Sequence, residues 1–255
     1  MYGGKSASLS RAIRAGLPVP PGFALSVDAV EAVVGAAEGA IAALAEILAH
    51  LGGPVAVRSS AVGEDNPTTS FAGQHATLLN VRTQSALVEA IDVVHQSAHS
   101  ASALAYRERM GITGEPKIGV AVQLLVEAET AGVLFTHNPA SGAEERLIEA
   151  SWGLGEVVVS GLVVPDSYRI SANGYIVERI AGEKDVALEP SAAGGTEEAP
   201  VGLQRAQALA LDDAQLLELH ELTLLCEAEY GQRLDIEWAC ADGQLYLLQG
   251  RGITR

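Results

Sequence analysis

The sequence predicts an α+β fold with mixed α/β character, on three observations. Strand-like and helix-like signals alternate along most of the chain. A short buried-strand pattern at 54–58 runs into a long Ser/Gly/Thr-rich loop, the arrangement from which α/β ligand sites are built. The chain closes on a β-hairpin whose polar side chains sort to one face. With 255 residues there is room for one large domain or two smaller lobes around an ample core.

The elements follow in order. Lys5 to Ala15 reads as a short helix stopped by Gly16, and Leu17-Pro-Val-Pro-Pro21 as a stiff link. Gly22 to Ser26 is a strand. Val27 to Leu51 is an alanine-rich helical stretch, broken near Gly35 and Gly39. Pro54 to Arg58 is a buried strand, Ser59 to Gly73 a long loop, and Thr77 to Val81 a strand. Ser85 to Met110 is helical in two pieces. Ile118 to Val126 and Gly132 to Thr136 read as the two strands of a hairpin. Strands follow at 146–150, 167–171, 175–180 and 185–188. Ser191 to Pro200, with its Gly-Gly-Thr-Glu-Glu run, reads as a mobile loop. Asp212 is the N-cap of a helix from Asp213 to Tyr230, and the final hairpin follows.

The hairpin runs from Arg233 to Arg251 around Ala241-Asp-Gly243. A two-residue Asp-Gly turn pairs Ala241 with Gln244 and sends Glu237 and Gln249 to opposite faces. A three-residue loop closed by Gly243 pairs Cys240 with Gln244 instead. The second register sorts apolar from polar more cleanly, so it is preferred. It puts Leu234, Ile236, Trp238, Tyr246 and Leu248 on one face and Asp235, Glu237, Gln249 and Arg251 on the other. Two acids, an amide and a guanidinium suit Mg²⁺ and polyphosphate, although an ordinary solvated sheet face has the same composition.

Charge narrows the possibilities. Sixteen basic against 32 acidic residues leave a net charge of −16, opposite in sign to a duplex-binding surface, so nucleic-acid binding is not expected. No apolar run reaches the roughly 18 residues of a membrane span, and the N-terminus lacks a secretory layout. Cys226 and Cys240 form no disulfide framework and no metal-ligand spacing, which fits buried thiols in a cytoplasmic protein.

Other segments carry potential chemistry. Arg58 emerges at a strand end, and Ser59, Ser60, Thr69, Ser70 and Gly73 in the loop after it suit a phosphate cradle. Lys5, in Gly3-Gly-Lys-Ser6, stands at a helix N-terminus, an anion-friendly place, but the segment is no Walker A motif. Glu156, after Trp152-Gly-Leu-Gly, either meets a ribose hydroxyl or is simply exposed. Gln123 is a lone amide in an apolar strand and wants a partner, either an adenine edge or a neighbouring backbone. His95 and His99 are spaced i,i+4 but lack the HExxH pattern, so a metal there is not expected.

Taken together, Gly3-Gly-Lys-Ser-Ala-Ser-Leu9, Ala15-Gly-Leu-Pro-Val-Pro-Pro-Gly-Phe23, Val57-Arg-Ser-Ser60, Glu64-Asp65 and Ser70-Phe-Ala-Gly-Gln74 resemble the N-terminal nucleotide-binding domain of the dikinases. Phe135-Thr-His-Asn-Pro139, Ala150-Ser-Trp-Gly-Leu-Gly-Glu156, Val164-Pro-Asp166 and Leu248-Gln-Gly-Arg251 extend the resemblance nearly end to end, in order. The family comprises phosphoenolpyruvate synthase, pyruvate phosphate dikinase and the rifampin phosphotransferases. Ser160-Gly-Leu-Val-Val-Pro-Asp-Ser-Tyr168 leans toward the synthase and rifampin branches.

The resemblance implies an ATP-grasp fold with ATP and Mg²⁺ held between two lobes, approximately 1–115 and 116–255, within one nucleotide-binding domain. By motif, Lys5 and Arg58 contact the ATP phosphates. Gly73 and Thr77 lie in the phosphate-covering loop and the strand after it. Gln123 stands beside the adenine and Glu127 near the hinge. Glu237 and Gln249 hold Mg²⁺, and Arg251 reaches a phosphate. Lys5, Arg58 and Arg251 are the expected catalytic cations. The family's full-length members pass the phosphoryl group to a histidine on a swivelling domain. Its Thr-x-Gly-Gly loop with Ser-His-Ala is not found here, so the expected partner is a phosphohistidine-bearing domain or separate chain. The segment from Lys5 to Arg58 is short for the family, which implies a reduced first lobe. The expectation is an excised domain, a subunit of a split enzyme, or a free-standing relative. A free-standing ATP-grasp ligase or direct small-molecule kinase, and a non-catalytic nucleotide-sensing domain, are the alternatives.

Overall fold

Two antiparallel sheets, joined by one crossing segment, organise the chain in the computed structural model, which describes residues 1–61, 76–139, 141–231 and 233–252. The first part of the chain contributes α1 (Gly4–Arg14), β1 (Gly22–Leu25), α2 (Val27–Val34), α3 (Glu38–Leu51), β2 (Val55–Ala61), β3 (Thr77–Val81), α4 (Gln84–Ser97), α5 (Ala101–Arg109) and β4 (Ile118–Leu124). Its four strands pair in the order β1-β4-β2-β3. Val55, Val57, Val120 and Val122 of this sheet pack against Val30, Leu44, Leu87 and Ile91 from α2, α3 and α4. Each side chain of this size contributes about 1.5–3 kcal/mol when fully buried. The helix starts follow from their sequences: Ser26, Thr83 and Ser100 each accept a hydrogen bond from a backbone N–H in the first turn of the following helix.

The rest of the chain forms β5 (Thr130–Phe135), β6 (Glu145–Trp152), the short α6 (Glu156–Val159), β7 (Asp166–Ser171), β8 (Ile176–Ile180), β9 (Val186–Pro190), β10 (Thr196–Pro200), α7 (Leu203–Gln207), α8 (Asp213–Tyr230), β11 (Leu234–Ala241) and β12 (Gln244–Gly252). Six of these strands pair in the order β12-β11-β5-β6-β7-β8, while β9 and β10 form a separate hairpin. Helix α8 lays Leu216, Leu219, Leu222 and Cys226 on Ile148, Tyr168, Ile170, Ile236 and the fully buried Trp238. Asp212 starts α8 with a capping box shared with Gln215.

Three expectations need correction. The strands β4 and β5 are not a hairpin: β4 sits between β1 and β2, and β5 between β11 and β6. The segment 125–129 carries the chain from one sheet to the other. Leu125 N donates to Pro54 O at its start and Glu129 N to Cys240 O at its end. Segment 191–200 is not a loop throughout, because Thr196–Pro200 pairs with β9 around a turn at Ser191–Gly195. Within the expected Ser59–Gly73 loop, Ser59, Ser60 and Ala61 continue β2; the remainder lies outside the described residues.

No single helix among the described residues is long and apolar enough to cross a membrane. Only α2 and α3 taken together, bent by 111°, match by length and composition. Both are packed on the first sheet.

Asp166 is the polar centre of the second part. It is fully buried, pairs with the equally buried Lys184, and accepts from Gly182 N at 2.8 Å, Ala210 N at 2.6 Å and the Tyr168 hydroxyl at 3.1 Å. These contacts tie β7, the approach to β9 and the approach to α8 together. Replacing Asp166 by Ala leaves Lys184 buried without its counter-charge and is expected to cost about 3–5 kcal/mol in denaturant unfolding. Removing the α8 cap by Asp212→Ala is expected to cost about 1 kcal/mol. Equal losses would contradict this ranking.

Candidate active site

The N-terminal segment reaches the second sheet because Gly3 permits it. Gly3 has φ +76, and a Cβ there would stand 1.8 Å from Ser60 O, so only glycine lets the chain pass this close to β2. Ser60 completes the joint: its hydroxyl accepts from Ser6 N at 2.9 Å and donates to Tyr2 O at 2.8 Å. Ser60 is thus committed to holding α1, not to cradling phosphate. From the first turn of α1, Lys5 Nζ meets Gln249 Oε1 at 2.5 Å.

Arg58 leaves β2 toward the terminal hairpin. One guanidinium nitrogen donates to Leu248 O at 2.7 Å; another contacts the Glu237 carboxylate and lies 3.3 Å from Gln249 Oε1. Glu237 and Gln249 are direct cross-strand partners, as are Asp235 and Arg251. Arg251 binds Asp235 through Nε at 2.9 Å and an Nη at 2.5 Å. Lys5, Arg58, Glu237 and Gln249 thus form one cluster across the two sheets, with the Asp235–Arg251 pair next to it on the hairpin.

The hairpin reaches this arrangement by a different register from the one expected. Asp242 and Gly243 have φ 50 and 70 and form a two-residue turn that pairs Ala241 with Gln244. A register shift between Glu237 and Trp238 then leaves Leu248 without a partner and brings Gln249 opposite Glu237. The bulge restores the expected polar face beyond it. Nearer the turn, Leu247 and Leu245 join the core, where Leu248 and Tyr246 were expected.

Electrostatics favour an ionised Glu237. Burial is the largest single influence and raises its pKa, but Arg58, Lys5 and Arg251 together outweigh it, so the carboxyl sits below its ordinary 4.5. Asp235 goes the other way. Burial lifts it above 3.8, with Arg251 opposing and Glu237 adding to the rise.

Beside the cluster lies a mostly apolar cleft of about 850 Å³, its open mouth included. Ala56, Leu79, Leu125, Ala128 and Leu154 supply the apolar walls, and Arg58 and Glu237 the polar end. Gln123, a buried β4 residue, and Thr77, the cross-strand partner of Arg58, line it as well. Glu156 stands on the rim, where burial raises its carboxyl pKa and Arg58 opposes the rise. Glu127 faces elsewhere, toward a second cleft with Arg82 and Trp152 behind the crossing segment. Gly73 lies outside the described residues. The sequence does not announce the apolar wall, because its residues come from four separate segments with no shared motif.

The model of the family described as pyruvate phosphate dikinase, AMP/ATP-binding domain, matches residues 36–255. The chain belongs to this family. Its α+β architecture is the ATP-grasp fold that membership implies, and the dikinase-family domain binds ATP. Arg58, Gln123, Glu237 and Gln249 fall inside the matched span, and Lys5 ahead of it. A rifampicin phosphotransferase of Streptomyces sviceus is 42% identical over 201 residues, covering 78% of this chain and 23% of that protein. A probable phosphoenolpyruvate synthase of Methanocaldococcus jannaschii is 34% identical over 301 aligned positions, covering 99% and 25%. A phosphotransferase of Bacillus subtilis, YvkC, is 40% identical over 202 residues, covering 78% and 24%. The chain spans about a quarter of the length of these curated relatives.

A carboxylate whose folded pKa is depressed stabilises the fold above its unfolded value, and that stability is lost as pH falls through the lower folded value. For Glu237 the loss therefore begins below 4.5. Asp235 has the opposite sign, since its ionisation disfavours the folded state. Glu237→Gln in the dikinase-family domain is expected to flatten the fall of stability on acidification, measured by urea unfolding across about pH 3 to 6. Identical slopes in variant and wild type would contradict the Arg58–Glu237 pairing.

Proposed function

We propose that this chain is the ATP-binding phosphotransfer module of a dikinase-type enzyme, a single domain of two subdomains that passes a phosphoryl group from Mg·ATP to a histidine on a separate domain or chain. The observation that carries this reading is the Arg58–Glu237–Gln249–Lys5 cluster at the polar end of an apolar cleft. The adenine occupies the apolar part, with its edge on Gln123, and Glu156 meets the ribose at the rim. The triphosphate then runs toward Arg58 and Lys5, and Arg251 reaches it from the hairpin. Glu127 acts near the hinge from the far side of the crossing segment, while Thr77 belongs to the strand beside the phosphates. The reading places the module in the cytoplasm.

The residues present fit Mg²⁺. No group of three or more His, Cys, Asp or Glu side chains among the described residues could cage a metal ion unaided. Glu237 and Gln249 offer two hard oxygen donors side by side, one of them ionised, and the nucleotide phosphates supply the rest. Mg²⁺, when bound, draws charge from the phosphate oxygens. The protein's own part is positional. Arg58 exchanges its contact with Glu237 for a phosphate oxygen, and Lys5 gives up Gln249. The three cations offset the charge that shifts as the bond to the transferred phosphoryl group loosens.

Incubation with labelled ATP, Mg²⁺ and the histidine domain of a family member tests the proposal. Label is expected on histidine as an acid-labile phosphoryl group. Arg58→Ala and Glu237→Ala are each expected to slow it about a hundredfold or more while leaving the fold intact. Label arriving on a small molecule without that domain would instead show a direct kinase, and ATP bound without transfer would show a nucleotide sensor.

A further inference from the structure

Asn80 breaks the rules of the strand that contains it. It is fully buried in β3 and has φ 57, a left-handed conformation rare outside glycine. The pairing of β2 with β3 slips here: Val55 faces Val81 and Val57 faces Leu78, so Leu79 and Asn80 together oppose the single residue Ala56. The bulge turns Asn80 out of the sheet and onto the tip of the β9–β10 hairpin. Its Nδ2 donates to Ser191 O at 2.7 Å and to Gly195 O at 2.6 Å, and its carbonyl accepts from Gly195 N at 3.2 Å. Its Oδ1 accepts from Arg82 Nε at 2.8 Å. Two carbonyls on one side and a guanidinium on the other leave a single orientation for the amide. Every polar group of Asn80 except its backbone N–H is accounted for by these contacts.

The middle of that hairpin supports the cleft. Leu154 N donates to Leu188 O at 2.9 Å, and Gly153 bridges to Leu188. Leu154, Gly155 and Glu156 form one wall of the cleft, and Thr77 and Leu79 belong to the wall contributed by the first sheet. Leu79 and Leu188 both pack on the small apolar cluster of Ala56, Leu125 and Leu154. The hairpin thus touches one wall through Leu188 and the other through Asn80.

We propose that Asn80 is a positioning residue, an inter-lobe tether that pins the β9–β10 turn to β3 and sets the spacing of the two cleft walls. The proposal rests on the nucleotide reading of the cleft for its effect on affinity, but not for its effect on the hairpin. A tether of this kind lets β2 and β11 shift against each other at the phosphate end while the far end of the cleft stays registered.

Two variants test it. Asn80→Asp keeps size, tolerance of positive φ and the contact to Arg82, but loses both N–H donors and turns a carboxylate on two carbonyls. Asn80→Gly keeps the backbone conformation and removes the side chain. Hydrogen exchange of the free chain, read at the Gly195 and Leu154 amides, is expected to speed up about tenfold or more in both variants. ATP affinity by titration calorimetry is expected to weaken about fivefold or more, with the rest of the exchange map unchanged. The unchanged map separates a local tether from global loss of stability. Wild-type exchange at Gly195 and Leu154 in either folded variant would overturn the tether, and so would faster exchange with unaltered ATP affinity. If the wild-type chain binds no ATP, the nucleotide reading is what fails, and the tether is judged on exchange alone.

Discussion

The contact between Arg58 and Glu237 is the constraint on which the site depends. It joins β2 of one sheet to β11 of the other, and its side chains are only 11% and 24% exposed. Little water reaches the pair, so it counts for more than a surface ion pair, yet neither charge is sealed in. Partial burial makes the contact exchangeable. Glu237 offsets Arg58 in this structure; in the proposed function, an anion arriving at Arg58 releases a carboxylate that a cation then neutralises. On the proposed reading, a cleft that needs both signs of charge together favours a metal–polyphosphate complex over either component alone. A chain of net charge −16 still gathers three cations around this pair: Lys5 from α1, Arg58 from β2 and Arg251 from β12.

Structure away from the cluster serves to hold it. Gly3 and Ser60 fasten α1 to β2 and thereby fix Lys5. The bulge at Glu237 rotates the end of the hairpin so that Gln249 meets Glu237. Trp238, Leu247 and α8 anchor the opposite face of that hairpin in the core. Segment 125–129 carries the backbone from β4 to β5, and its own Leu125 and Ala128, with Gln123 just before it, line the cleft it spans. An apolar cleft with charge at one end suits the proposed occupant, a base with a phosphate tail.

Much of this was legible in the sequence where the signal is local. Asp212 and Gln215 announce α8 through cap chemistry. The period-two pattern of the last strands identifies the polar face, because side-chain alternation survives an error in the turn when a bulge adds one compensating residue. Less was legible where partners are distant. Ile118 to Val126 and Gly132 to Thr136 look like a hairpin, since nothing in Glu127-Ala-Glu129 states that the chain is changing sheets. Thr196–Pro200 has no apolar alternation, and it becomes a strand by pairing with β9. Asn80, like Gln123, is a lone amide in an apolar strand; Thr77-Leu-Leu-Asn-Val81 carries that signal but not its meaning, because the carbonyls that Asn80 binds lie more than a hundred residues away.

Titration calorimetry of ATP into the chain, with and without Mg²⁺ and alongside Glu237→Ala, separates a metal–nucleotide site from a simple anion site. Micromolar-range binding that depends on Mg²⁺ is expected in the wild type. In Glu237→Ala, Arg58 has no carboxylate to release and the metal loses its ionised donor, so the difference between the two conditions should vanish. Equal affinity with and without Mg²⁺ in the wild type, or a Mg²⁺ effect that survives in the variant, would contradict the metal–nucleotide site.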